Sequence, residues 1–211
     1  MNQYLINIID RMLDKTDQII TVGHDSSNTI SWKALREAEN IENADFIPQL
    51  ITFINAEKDK KKRDKAYFLL GHVAKNKENL KALDYLISRI NKETDKYIIA
   101  ALLDRIGAIQ KPIGTDLQPL IQATKSDKWL IRYSAIQSLN NAVDSIAETA
   151  LIEILNTSDD PFNLTYANST LNKIGTQRSL PYLEKHLQSK KRDVRDSAKF
   201  TIEEIKKRNN H

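Results

Sequence analysis

Cysteine is absent from the chain, which removes disulfides, thiolate metal sites and cysteine nucleophiles together. Glycine and proline are scarce, five of each in 211 residues. That is too few for the turns of a β-rich fold, and no stretch sustains the two-residue alternation of strands. No apolar run approaches the roughly 20 residues of a membrane span. The opening Met-Asn-Gln-Tyr-Leu-Ile lacks the basic region of a secretion signal, so the expectation is a cytoplasmic protein with no membrane association. No Gly-rich phosphate loop, G-x-S-x-G elbow or paired-carboxylate motif occurs. The four histidines, His24, His72, His186 and His211, lack the i, i+4 spacing and carboxylate companions of a metal site. Glu203-Glu204 and Asp159-Asp160 are sequence neighbours, which point apart on a helix. No catalytic residue, cofactor or metal is expected.

What the chain does contain is a repeat. Within residues 127–139, Ile131, Ala135 and Leu139 lie four apart on one helical stripe, with the small Ala135 where a neighbouring helix comes close. The same frame returns around Ala66, Leu102, Ala167 and Ala198, so successive anchors are 36, 33, 32 and 31 residues apart. A period of this size marks a stacked array. A second apolar set runs ahead of the anchors: Ile47 with Leu50, Leu83 with Leu86, Leu117 with Leu120, Leu180 with Leu183. Pro48, Pro119 and Pro181 fall early in three of these segments, where a first-turn proline loses no hydrogen bond. Each unit therefore reads as two helices joined by a polar turn, at 57–63, 91–95, 126–128, 157–160 and 189–193. Several turns close on a carboxylate that can accept from free N–H groups of the second helix.

Before the array, residues 2–20 read as an amphipathic helix through Leu5, Ile8, Ile9, Met12 and Leu13, ending near Gly23. Residues 25–29 read as a loop, and Ser31 as the cap of a helix carrying Trp32, Leu35 and Ala38. These helices miss the repeat frame, as terminal units of arrays usually do. The expected organisation is an N-terminal helical cap over 1–43 and an array over 44–211, with repeats at about 44–75, 78–109, 116–143, 145–175 and 178–208, in one structural domain.

Leu180-Pro181-Tyr182-Leu183 followed by Asp193-Val194-Arg195-Asp196-Ser197-Ala198 resembles the signature of HEAT-like repeats of the short bacterial, phycobilisome-lyase type, and Ile131-Arg132-Tyr133-Ser134-Ala135 matches it again. Ile99 and Leu164 stand where that family has an arginine. The resemblance spans about residues 44–208. It implies an all-α, right-handed α-solenoid of about five helical pairs, and a non-catalytic scaffold that binds other proteins on its concave face.

If the anchor stripe faces the core, Tyr97, Trp129, Arg132, Tyr133, Tyr166 and Arg195 lie beside it, near the inner surface that second helices line in that family. These are residue types that dominate binding energetics, and they form the expected partner-binding row; the alternative is that they pack between repeats, with Arg132 and Arg195 hydrogen-bonding neighbouring turns as the resemblance implies for that arginine. The charge is slightly positive, 32 basic against 28 acidic residues. Clusters including Lys61, Lys62 and Arg63, and Lys190, Lys191 and Arg192, are the expected electrostatic contacts, steering an acidic partner. An adaptor, or an inhibitor such as an immunity protein, fits the size, with a monomer favoured. The competing class is a nucleic-acid binder, including an enzyme similar to the HEAT-like alkylpurine DNA glycosylases, for which Trp129, Arg132 and Asp104 are the residues on offer.

Overall fold

The structure is a computed structural model that describes residues 1–17 and 26–209. The first helix, expected to run to about Ile20, ends at Leu13, where Asp14 turns the backbone extended; Gly23 and the histidines His24 and His211 lie outside the described residues. Among the described residues there are α-helices and no strand: α1 Gln3–Leu13, α2 Ile30–Glu39, α3 Phe46–Ala56, α4 Lys60–Asn76, α5 Leu80–Arg89, α6 Lys96–Gly107, α7 Gln118–Ala123, α8 Trp129–Ser138, α9 Ser145–Thr157, α10 Pro161–Ile174, α11 Leu180–Lys185 and α12 Arg192–Asn209. From α3 onward they follow one another as five pairs. The fold class is all-α, of the α-solenoid type. The helices group into two compact units, residues 1–86 and 87–211.

In the first unit, α1 buries Leu5, Ile8, Ile9 and Met12 and packs on α2 and α4, while α3 packs on α4. Arg11 donates to Glu37 at 2.5 Å and ties α1 to α2. The cap of α2 is Thr29, not Ser31. Thr29 has the extended backbone a cap requires and its Oγ1 accepts from Trp32 N at 3.2 Å, whereas Ser31 is already inside the helix and buried. The turn expected over 57–63 is shorter. Asp59 accepts from the N–H groups of Lys61 and Lys62, so α4 begins at Lys60 and its lysines ride on the first helical turns.

In the second unit, α6, α8, α10 and α12 pack consecutively, with α7, α9 and α11 against α8, α10 and α12. The anchors Leu102, Ala135, Ala167 and Ala198 are buried, as is Ala66 in the first unit. Small residues let the helices close up: a Cβ on Gly107 would stand 3.0 Å from the Gln137 carbonyl and 3.3 Å from Ser138 Cα. Side chains then stitch one repeat to the next. Asn141 Nδ2 donates to Gly107 O at 2.9 Å, Thr170 Oγ1 to Ile136 O at 3.3 Å, and Thr201 Oγ1 to Asn168 O at 2.9 Å. These pairs are 34, 34 and 33 residues apart, the period read from the anchors.

The break at 111–114 holds more than a turn. Lys111 forms an isolated parallel bridge with Ala142, and its side chain is fully buried. Its Nζ donates to Ile109 O at 2.7 Å and Asn140 O at 2.6 Å, just past the ends of α6 and α8, where helix dipoles favour a cation. Burial lowers its pKa to about 7.

Candidate partner-binding ridge

The site is built from the starts of the second helices. Asp95 accepts from Tyr97 N at 2.9 Å and Asp160 from Phe162 N at 2.9 Å, which fixes where α6 and α10 begin. Two residues past each cap an aromatic ring comes out on the surface, Tyr97 at 66% exposure and Phe162 at 61%. Trp129 opens α8 at 60%. On α8, Trp129 and Tyr133 are four apart and share a face, as do Phe162 and Tyr166 on α10. Because α8 packs on α10, the two faces merge. The Tyr133 ring lies 5.6 Å from Trp129, 5.7 Å from Phe162 and 5.1 Å from Tyr166, at tilts between 31° and 47°.

A polar network fixes this patch from one side. Arg132 donates from Nη2 to Asp160 Oδ2 at 2.9 Å, from Nε to Asn163 Oδ1 at 3.0 Å and from Nη1 to Ser126 O at 2.9 Å. Tyr133 Oη donates to the same Asp160 oxygen at 3.0 Å. Burial opposes ionisation of Asp160, but the bonds from Arg132, Phe162 N, Tyr133 and Asn163 N outweigh it and hold the carboxyl below its usual value. Burial first, then the bond to Asp160, raises the Tyr133 phenol. Tyr133 therefore stays neutral and oriented.

The expected site residues thus divide. Trp129, Arg132, Tyr133 and Tyr166 come together, while Tyr97 stands on the next helix with Lys96 Nζ 5.0 Å over its ring. Arg195 on α12 donates to Ser189 O at 3.4 Å and lies 3.4 Å from Asp196. Among the basic residues, Lys62 pairs with Asp10 at 3.0 Å, Arg63 donates to Glu57 O and Lys58 O, and Arg192 pairs with Asp196 at 3.3 Å. Lys61, Lys190 and Lys191 are exposed. Asp104 accepts from Ser134, and its pKa is raised chiefly by desolvation. Among the described residues no group of three or more His, Asp or Glu could hold a metal, and no helix is long and apolar enough to cross a membrane.

Residues 117–203 match the family model for HEAT repeats. That stretch of the chain is similar to HEAT repeats. No curated protein matches it. Among solved structures, two engineered proteins are similar: one at 18% identity over 98% of both chains with a TM-score of 0.56, the other at 20% identity over 98% of this chain and 100% of that one with 0.52. A designed armadillo repeat protein in complex with the peptide (KR)4 is similar at 13% identity over 95% of this chain and 99% of that one, with a TM-score of 0.56. At these identities the likeness is one of fold.

The HEAT-like arginine has a visible job here. Arg132 and Arg195 each donate to the carbonyl six residues back, closing the turn that precedes their helix, and Arg63, read in the sequence only as part of a basic cluster, does the same to Glu57 O. Two members of the ridge were missed by the sequence reading: Phe162 as an exposed ring and Asp160 as the acceptor that locks Arg132 and Tyr133. The signal was present in the shared spacing Asp95-x-Tyr97 and Asp160-x-Phe162, a capping carboxylate followed two residues later by an aromatic.

Proposed function

We propose that this HEAT-like chain is a non-catalytic protein-binding scaffold, an adaptor or an inhibitor, that takes its partner on the ridge formed by α6, α8 and α10. The carrying observation is the continuous cluster of Trp129, Tyr133, Phe162 and Tyr166, exposed at its outer members and pinned from beneath by the Arg132–Asp160 pair. Rings held in place lose little conformational freedom on binding, so the area they bury is converted efficiently into affinity. The polar groups offered for chemistry are engaged: Arg132 by three protein acceptors and Asp104 by Ser134. The designed armadillo protein with its bound peptide is an example of a similar fold at work in peptide recognition. The exposed lysines Lys61, Lys190 and Lys191 favour an acidic partner.

The test is affinity capture from an extract of the source cells, with immobilised wild-type chain beside a Trp129→Ala/Phe162→Ala double variant of unchanged melting temperature. A protein retained by the first and not by the second is the expected result. Equal retention on both would remove the ridge from the account, and salt-sensitive retention of nucleic acid in place of protein would move the chain to the competing class.

A further inference from the structure

We infer that the joint between α6 and α8 is a proton-controlled hinge, shut while the Lys111 side chain is a neutral amine and opening to water when that amine takes up a proton. The joint is small. Lys111 N donates to Asn141 O and Val143 N donates to Lys111 O, both at 2.9 Å, and these bonds form the isolated bridge to Ala142. Asn141 turns the chain at φ 60°, and its Nδ2 donates to Gly107 O. Lys111, Asn141, Ala142 and Val143 all lie outside the helices, so the bridge can break without any helix unwinding.

The enclosed side chain is what makes the joint sensitive. Lys111 is fully buried, and its Nζ has two acceptors, Ile109 O at 2.7 Å and Asn140 O at 2.6 Å. A neutral amine has two N–H donors, and both are matched. An ammonium has three, and taking it out of water calls for a full counter-charge where two carbonyls supply only partial ones. The charged groups on the surrounding elements are engaged elsewhere. Asp104 accepts from Ser134, Asp116 from Gln118 N, Asp144 from Ile146 N and Glu148 from Thr176 and Ser179, while Arg132 donates to Asp160. Arg105 on α6 is a cation like Lys111 itself. Burial thus brings the closed-state pKa down to about 7. Asn140 Oδ1, buried without a partner, is a second polar group that gains water when the joint opens.

Once exposed, a lysine titrates near about 10.4. Below pH about 7 the side chain is protonated in both states, and the closed joint bears the whole cost of enclosing a charge. Between those two values opening takes up a proton, so each unit rise in pH disfavours the open state about tenfold. α6 brings Tyr97 to the surface and α8 brings Trp129. The state of the joint therefore sets how these rings stand to one another, whether or not they meet a partner.

The experiment is amide hydrogen exchange of the Val143 N–H in the full chain, read by NMR at pH about 7 and about 8.5 and divided by the intrinsic exchange rate, with Lys111→Met alongside. The expected result is an opening constant that falls more than about tenfold over that interval in the wild type and stays level in the variant. Val143 should also be less protected than Ala167, in the middle of α10. A level profile in the wild type, the same slope in both proteins, or protection equal to that of Ala167 overturns the inference, the last because Lys111 would then meet water only when the fold as a whole comes apart. Should Lys111→Met fail to fold, the Cε resonances of the wild-type lysines give the reading: one midpoint near pH about 7 is expected, and lysines that all titrate near about 10.4 overturn the hinge.

Discussion

A Cβ placed on Gly175 would stand 2.6 Å from the Leu171 carbonyl oxygen and 3.0 Å from Ile205 Cδ1, and since the first of these is backbone it cannot step aside. Gly175→Ala is therefore expected to cost about 1–3 kcal/mol by overpacking, read as a lower urea midpoint; an unchanged midpoint would show that α10 and α12 have slack at this contact. Arg132 makes the second case at this scale. Its side chain and that of Asp160 are only 20% and 26% exposed, and removing it leaves Asp160, Asn163 and Ser126 O short of partners. Arg132→Ala is expected to lose about 1–3 kcal/mol. The pH dependence has a definite sign. Asp160 has a lower pKa in the fold than in the unfolded chain, so its stabilisation is present above the ordinary carboxylate value and disappears as the pH falls through the folded value. Acid melts below pH about 4 should therefore lose stability less steeply in the Arg132→Ala variant than in the wild type. Arg132 itself was legible from its motif. The role of Asp160 was not, because a capping aspartate shows in sequence what its own helix needs and not which residues of the preceding repeat, 27 and 28 positions back, will use its second oxygen.

At the scale of the element, the helices were legible where one stripe had to be buried in each turn and obscure where a single cap decided a boundary. Ile131, Ala135 and Leu139 could be paired with Val194, Ala198 and Ile202 from spacing alone, and all six are buried. Thr29 against Ser31, and the start of α4 at Lys60, turned on backbone angles that composition does not encode. Lys111 was illegible for a stronger reason. Its burial is created by Asn140 and Ala142, which reach it only after a complete intervening helical pair. Held at about 7 in the fold against about 10.4 in the unfolded chain, it is protonated in both states below pH 7, where the full cost of its burial is felt. Between those values the unfolded chain binds more protons, so stability contributed by this site rises with pH. Urea midpoints at pH about 6 and about 9 should differ in this direction for the wild type, and Lys111→Met should flatten the difference. The same slope in both proteins would mean that the two carbonyls keep the ammonium charged in spite of its burial.

Considered as a whole molecule, the chain shows how few positions a stacked fold constrains. Solved structures only 13–20% identical share it across nearly their full length, because each repeat needs only its stripe, its small anchor and a turn closure, and contacts only its neighbours. That economy is why the fold could be read from spacing while the partner could not: the ridge residues stand at positions the array leaves free. An exposed aromatic ridge can also serve self-association, and the expectation of a monomer gives that a plain check. Sedimentation velocity should return one species of 24.2 kDa; a concentration-dependent dimer abolished by Trp129→Ala would make a second copy of the chain the occupant of the ridge. The central claim, that the ridge is where a partner protein binds, is tested most directly by calorimetric titration of the captured partner into the wild type and into Trp129→Ala/Phe162→Ala. The account predicts at least about tenfold weaker affinity for the variant with an unchanged melting temperature, and equal affinities would contradict it.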